Sequence, residues 1–173
     1  MVRGVGPCVF RCLQPGDVSE LYIDSLNAER RYLETKPELM TVESQRKYVQ
    51  QMAASPDSAI AGLLVDGSRL VASAGMQRLR AGEATLGIFV FDGWRRLGLG
   101  KTGVWAACEM ITRLTGTVCY AAGMKKDNIS SLKSFLSCGF RQTGEAGGCY
   151  QVACTMKELR RPEIVDPDYR WCG

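Results

Sequence analysis

A glycine-containing stretch in the middle of the chain has the residue types and spacing to bind an anion. It runs from Arg95 to Lys101 as Arg-Arg-Leu-Gly-Leu-Gly-Lys, between a strand-like apolar segment and a helical pattern. Gly98 and Gly100 would let backbone N–H groups approach a phosphate closely, and a helix N-terminus adds about half a positive charge. Arg95, Arg96 and Lys101 would add charge-assisted contacts to a diphosphate or a 3′-phosphate. The stretch predicts a phosphorylated ligand, and a tight strand-to-helix turn is the alternative for a bare Gly-x-Gly.

The composition limits the chemistry that could accompany such a ligand. The chain has no histidine, which excludes a Ser-His-Asp triad, a histidine general base and a zinc site with histidine ligands. Catalysis would therefore use carboxylates, Tyr, Lys, Ser, Cys or backbone dipoles. With 22 basic and 18 acidic residues, the net charge of +4 fits an anionic small ligand better than a nucleic acid.

Eight cysteines are present, but no two form a Cys-x-x-Cys pair, and we expect no metal site. The N-terminal residues lack a signal-peptide pattern, and no apolar run is long enough to span a membrane. We therefore expect a cytoplasmic protein without membrane partners, whose cysteines are mostly small buried apolar side chains. Thiol catalysis and metal binding are the alternatives for these residues.

The elements that must position the anion-binding stretch follow from periodicity. A length of 173 residues suits one domain, which we place at 1–159 with a C-terminal tail at 160–173. The pattern predicts strands at 8–13, 59–65, 70–79, 84–91, 117–122, 140–143 and 149–156, and helices near 16–26, 41–54, 100–114 and 128–138. Thr41 is the predicted N-cap of the second helix and Gly116 the stop of the third. The order is typical of an α/β (α+β) protein with a mixed sheet whose parallel part comes late.

A second motif begins about 30 residues after the first. The stretch 128–140 starts with Asn128-x-x-Ser131 and ends with Gly139-Phe140. Together with the Arg-x-x-Gly-x-Gly pattern of the first stretch, this motif resembles the two signature motifs of the GNAT superfamily of N-acetyltransferases. The resemblance covers about residues 8 to 157, nearly the whole chain.

The resemblance implies a fold and a cosubstrate. The fold would be a single mixed, mostly antiparallel sheet of six or seven strands, flanked by about four helices and splayed between its central strands. The cosubstrate would be acetyl-CoA, with its pyrophosphate on the backbone amides of 96–101, its pantetheine and acetyl carbonyl near Val90, and Asn128 across the splay. The implied coenzyme-binding residues are Ile88, Phe89, Val90, Arg95, Arg96, Leu97, Gly98, Leu99, Gly100, Lys101, Asn128, Ser131 and Phe135.

Acetyl transfer to an amine needs a deprotonated amine, a held thioester carbonyl and an exit for the thiolate. Backbone N–H groups at the end of the central strand could stabilise the developing oxyanion. Many family members have a tyrosine as general acid where this chain has Phe135, so Tyr150, Tyr120 or a water molecule would replace it, or the thiolate would leave unassisted. The candidate bases are Glu83, Glu34 and a water chain, and a solvated turn carboxylate is the alternative for Glu83.

Three hypotheses for function remain open from the sequence. The segment between residues 26 and 57 resembles enzymes that acetylate nucleotide-linked amino sugars by direct attack in a ternary complex, and Arg30 and Arg31 could meet such an anionic acceptor or be solvated charge. The same segment also resembles ribosomal-protein N-terminal acetyltransferases. A non-catalytic acyl-CoA-binding module is the third hypothesis. A homodimer through the last strands is an expectation, and an intramolecular sheet edge is equally open.

Overall fold

A seven-stranded sheet forms the centre of the protein. The computed structural model describes residues 2–32 and 38–165. The strands are β1 (Cys8–Cys12), β2 (Ser58–Val65), β3 (Arg69–Gln77), β4 (Ala84–Val90), β5 (Cys119–Lys125), β6 (Arg141–Ala146) and β7 (Cys149–Thr155). Their order across the sheet is β1-β2-β3-β4-β5-β7-β6, and every neighbouring pair is antiparallel except β4 and β5. The predicted mixed sheet with a late parallel part is confirmed.

The described residues form four α-helices, and polar caps mark where three of them begin. These are α1 (Glu20–Ala28), α2 (Val42–Ala54), α3 (Leu99–Thr115) and α4 (Ile129–Ser137), with short 3-10 turns at Pro15–Asp17 and Arg30–Tyr32. Ser19, Thr41 and Asn128 each accept a hydrogen bond from a backbone N–H in the first helical turn. Gly116 ends α3 in the left-handed conformation with φ of 73°. The predicted cap at Thr41 and stop at Gly116 are both confirmed.

The helices cover the two faces of the sheet and bury a core on each. On one face, Tyr22 of α1 and Val49 of α2 pack with Ile60 of β2. On the other face, Ile111 of α3 packs in a larger cluster with Tyr120 of β5. Because successive strand residues point to opposite faces, membership of one core cluster or the other assigns a face to every residue of β3, β4 and β5.

The parallel strands β4 and β5 are paired over two positions only. Ala84 pairs with Tyr120 and Thr85 with Ala121, and beyond these pairs the two strands separate. The rest of β4, to Val90, and the rest of β5 therefore form the sides of a V-shaped gap, which we call the splay. The splay predicted between the central strands is confirmed, and it opens toward the loop that leads into α3.

Residues 160–165 turn back onto the domain. The Arg160 N–H donates to the Cys138 carbonyl at 2.8 Å, and the Arg3 N–H donates to the Ile164 carbonyl at 2.7 Å. Val165 forms a β-bridge with Val2, and both side chains are buried. The described part of the predicted tail thus packs beside α3, and the boundary at 159 stays a prediction.

Strand β6 forms an edge of the sheet, and all its residues are exposed. The predicted homodimer stays a prediction. None of the helices within residues 2–32 and 38–165 has the length and apolar character to cross a membrane.

Candidate functional site

Strand β4 turns backbone hydrogen-bonding groups toward the splay. The Phe91 N–H donates to the Val71 carbonyl on β3 at 3.0 Å. Hydrogen-bonding direction alternates along an antiparallel strand, so the N–H groups of Ile88 and Val90 point away from β3 and into the gap. Their half-buried side chains pack toward α3. The end of β4 therefore presents unpaired donors to the splay, an arrangement that suits oxyanion stabilisation.

The loop after β4 offers a second group of backbone donors. Gly98 is the N-cap of α3 with φ of 78°, and the first helical amides have no intrahelical acceptor. None of the backbone N–H groups from Arg95 to Lys101 donates a hydrogen bond to a group within the described residues. Unpaired amides at the positive end of a helix are an arrangement that suits an anion, and here they lie next to the splay.

Two packing contacts leave no space for a side chain at either glycine of the loop, whether or not an anion binds there. The side chain of Ile164 fills the space where a Gly98 side chain would begin. At Gly100, a β-carbon would lie 2.9 Å from Ser134 Oγ on α4. The loop is therefore packed between α4 and the returning C-terminal segment, and local sequence pattern could not reveal either contact.

The three cations of the loop have different surroundings. The Arg95 Nε donates to the Val90 carbonyl at 3.3 Å, and its Nη1 donates to Glu29 Oε1 at 2.9 Å. The Lys101 side chain folds back, with its Cε 3.2 Å from the position of a Gly98 β-carbon. Arg96 is exposed and has a left-handed backbone with φ of 64°. Arg96 and Lys101 therefore lie beside the unpaired amides, whereas Arg95 is engaged at the mouth of the splay.

The second motif has a clear structural role. Asn128 Oδ1 accepts from the Ser131 N–H at 3.2 Å and caps α4. Phe135 is 1% exposed and packs edge-on against Phe140, with ring centroids 5.0 Å apart. Phe135 thus lies in the core under α4, where it offers no proton. Among the other predicted coenzyme-binding residues, Leu97 is exposed, Leu99 is buried, and Phe89 and Ser131 are half-buried.

The predicted acid–base residues lie in separate places. Glu83 is exposed in the turn before β4, seven residues from Val90, which is roughly 23 Å along a strand. The structure therefore does not bring Glu83 to the mouth of the splay. Tyr150 on β7 pairs with Met124 of β5 and packs against the larger core on the α3–α4 face. Glu34 lies outside the described residues.

Tyr120 is the least accessible of the candidate acids. It is fully buried, and its hydroxyl forms a hydrogen bond with the Thr112 hydroxyl on α3. Burial raises the pKa of Tyr120 to about 12. This environment suits a structural tyrosine at the paired end of β5.

The sheet face on the α1–α2 side is open beside the splay. Gly75 of β3 and Gly87 of β4 are directly paired, and apart from their chain neighbours no atom of the described residues lies within 4 Å of where their β-carbons would be. Cations lie at the end of β5 that borders the splay, because Lys125 donates there to the Arg31 carbonyl, and the Arg31 side chain is 69% exposed. A substrate could reach the unpaired edge of β4 from this side.

Known proteins share the sequence pattern and the fold of this chain. Residues 8–141 match the profile of the family described as acetyltransferase (GNAT) domain. No curated protein matches the chain. Similar solved structures include RimJ from Mycobacterium smegmatis in complex with CoA-disulfide, with a TM-score of 0.77 and 15% identity over 94% of this chain and 89% of that one.

Two further solved structures show the same fold. Spermidine N-acetyltransferase from Vibrio cholerae, in complex with CoA and spermine, has a TM-score of 0.74 and 11% identity, covering 87% of this chain and 96% of that one. An acetyltransferase of the GNAT family from Streptococcus pneumoniae has a TM-score of 0.68 and 15% identity, covering 87% and 99%. At these identities the similarity establishes the fold, while the profile match carries the assignment to a family.

Proposed function

Since this chain belongs to the GNAT acetyltransferase family, we propose that it transfers the acetyl group of acetyl-CoA by direct attack of an amine carried on an anionic molecule, such as a nucleotide-linked amino sugar. The observation that carries the proposal is the splay, whose edge of unpaired β4 donors leads directly to the unpaired amides at the start of α3. These features together suit a ligand with a thioester at one end and phosphates at the other.

The residues around the splay fit acetyl-CoA. The loop amides, Arg96 and Lys101 would hold the phosphates, because donors and cations converge there without a competing acceptor among the described residues. The N–H groups of Ile88 and Val90 would hold the pantetheine arm and the thioester carbonyl. The buried Leu99 and Phe135 would support the loop and α4 from beneath.

In the proposed reaction, the neutral amine attacks the thioester carbonyl carbon. A C–N bond forms and the C–S bond breaks, so the amine nitrogen loses a proton and the departing thiolate gains one. A backbone N–H pointing from β4 into the splay stabilises the oxygen as charge develops on it. Because Phe135 replaces the usual tyrosine, Tyr150 or a water molecule delivers the proton to sulfur, and a thiol with a pKa of roughly 8.5 also leaves without strong assistance.

The acceptor side supports a substrate that carries negative charge. Arg31 and Lys125 are joined to each other at the end of β5 that borders the splay, and both would attract a phosphate or carboxylate. Glu29 is engaged by Arg95 and Arg31, at 2.9 and 3.8 Å. Cations in this position suit a nucleotide-linked sugar better than a polycationic amine.

A peptide N-terminus is the second candidate acceptor. The observation that favours it is the similarity in fold to RimJ, a ribosomal-protein acetyltransferase, over 94% of this chain. The paired Gly75 and Gly87 beside β4 also present no side chain that an extended backbone would have to displace. Each of these features is compatible with the sugar acceptor as well, so activity must decide between them.

A thiol-release assay with acetyl-CoA tests the proposal. The panel contains UDP- and dTDP-linked amino sugars, the same amino sugars without nucleotide, spermidine, and short peptides with free N-termini. We expect the highest kcat/KM with a nucleotide-linked sugar and a loss of at least tenfold when the nucleotide is removed. Preference for a peptide would select the second candidate, and acetyl-CoA binding without turnover of any amine would indicate a binding module.

A further inference from the structure

The short segment after α1 bridges the mouth of the splay. Glu29 at the C-cap of α1 contacts Arg95, which also contacts the end of β4. Two residues later, the Arg31 carbonyl accepts from Lys125 at the end of β5. The segment 29–32 is therefore fastened to both strands that separate, β4 through Arg95 and β5 through Lys125.

Arg95 stands where the coenzyme would have to pass. The Val90 carbonyl points into the splay, because Val90 occupies a position whose backbone groups face away from β3. Because the Arg95 guanidinium donates to that carbonyl, it lies in the mouth of the splay. The same guanidinium also donates to the Glu29 carboxylate, so it links the end of β4 to Glu29. Arg95 is also the first residue of the loop proposed to hold the phosphates.

We propose that Arg95 exchanges the Glu29 carboxylate for the diphosphate of acetyl-CoA when the coenzyme binds, and that the released Glu29 then receives the ammonium group of the acceptor. The inference rests on the proposed function, because it requires the coenzyme phosphates to lie on the loop. A diphosphate carries more charge than one carboxylate and can accept bidentate hydrogen bonds from the same guanidinium. Arg95 and Glu29 have side-chain exposures of 40% and 19%, so their pair is partly solvated and weak enough to be exchanged.

Glu29 stays at the mouth after the exchange. Its backbone is anchored at the α1 C-cap, where its N–H donates to carbonyls of the last helical turn, and Lys125 still holds the segment through Arg31. The Arg31 Nε remains 3.8 Å from Glu29, beyond good hydrogen-bonding distance. Once Arg95 has left it, the Glu29 carboxylate would face the incoming ammonium group of the acceptor beside the unpaired edge of β4.

Calorimetric titration of the full-length protein with acetyl-CoA tests the exchange. Glu29→Gln removes the partner that competes for Arg95, so we expect acetyl-CoA to bind about two- to fivefold more tightly than to the wild type. Asp24→Asn is the matched control, because Asp24 is exposed on α1, has no ion pair within the described residues and removes the same charge. Far-UV circular dichroism and Tm establish that both variants are folded.

Steady-state kinetics tests the second half of the proposal with the amine that has the highest kcat/KM in the panel. Glu29→Gln should raise the KM for that amine at least tenfold without raising the KM for acetyl-CoA, a split that a general loss of structure would not produce. If Glu29→Gln binds acetyl-CoA no more tightly than Asp24→Asn, the exchange is overturned. Unchanged amine kinetics would overturn the acceptor role of Glu29, whereas wild-type protein that binds no acetyl-CoA would overturn the proposed function itself.

Discussion

The carbonyl oxygen of Glu158 lies directly against Gly139, so close that no β-carbon could stand between them. Gly139 has φ of 96° and joins the end of α4 to the segment leading into β6, while Glu158 follows β7. The glycine of the second motif is therefore needed where α4 meets the start of the returning C-terminal segment.

Gly139→Ala should be among the most destabilising single-methyl additions in the domain. A left-handed backbone costs an alanine about 1–2 kcal/mol, and the collision is with a main-chain atom that cannot rotate away. Gly82→Ala is the control, because Gly82 has a similar φ of 83° and open space around it. Urea unfolding should show a loss for Gly139→Ala at least about 2 kcal/mol larger than for Gly82→Ala, and equal losses would contradict the contact.

Lys101→Gln should weaken acetyl-CoA binding roughly tenfold, because a charge-assisted phosphate contact contributes about 1.5–3 kcal/mol. The Lys101 stem lies over Gly98, which directs its ammonium group toward the loop. Calorimetry with acetyl-CoA and with its 3′-dephospho analogue identifies the phosphate involved. If Lys101→Gln weakens binding of acetyl-CoA but not of the analogue, Lys101 contacts the 3′-phosphate. If the substitution weakens binding of both, Lys101 contacts the diphosphate. Exposed Lys157→Gln is the charge control, and an equal loss in that variant would count against a contact by Lys101.

Tyr150→Phe tests the delivery of a proton to the departing thiolate. Tyr150 lies on the same sheet face as α4, and the Lys126 ammonium is 5.8 Å from its ring centroid. If its hydroxyl protonates the sulfur, kcat should fall about 10²-fold or more with little change in the KM for acetyl-CoA. The rate of thiol release is measured in single-turnover experiments on the wild type and on Tyr150→Phe. An unchanged rate would mean that a water molecule, and not Tyr150, protonates the sulfur.

Cys138 should resist alkylation in the native protein. Its thiol is fully buried and donates to the Lys101 carbonyl at 3.2 Å, and burial raises its pKa from 9.0 to about 11. Since only the thiolate reacts, labelling by iodoacetamide should be negligible at pH 8 and should increase as pH rises toward 11. Peptide mapping by mass spectrometry can compare Cys138 in native and in urea-unfolded protein, and equal labelling in the two states at pH 8 would contradict this environment.

Truncation after Leu159 should leave a less stable domain than truncation after Val165. The first removes Ile164 from Gly98 and Val165 from Val2. Burial of the Val165 side chain contributes about 1.5–3 kcal/mol, and the half-buried Ile164 adds a smaller amount. It should also weaken acetyl-CoA binding, because the loop loses the side chain packed on it. Urea unfolding and calorimetry on both truncations make the test, and equal stability of the two would place the domain boundary at 159.

The order of elements was largely predictable because it depends on local pattern. Strand and helix patterns, the cap at Thr41 and the stop at Gly116 are properties of neighbouring residues, and the element order, cap and stop agree with the structure. The first helix, predicted from residue 16, begins instead at Glu20, because Pro15–Asp17 form a separate 3-10 turn. The two motifs likewise identified the family from residues within short stretches, and residues 8–141 match its profile. The placement of β7 between β5 and β6 was not predicted, since pairing between strands depends on contacts distant in sequence.

The sequence by itself determined that a loop with two glycines and three cations lies between a strand and a helix, that no histidine takes part, and that position 135 lacks a hydroxyl. The tertiary structure alone decided what surrounds these residues. Arg95, expected on the phosphates, contacts Glu29 66 positions away, and Gly98 and Gly139 are fixed by residues near the C-terminus. Such contacts form only when the sheet brings remote segments together, because the energy that selects them comes from burial and charge pairing across the fold rather than from local backbone preference.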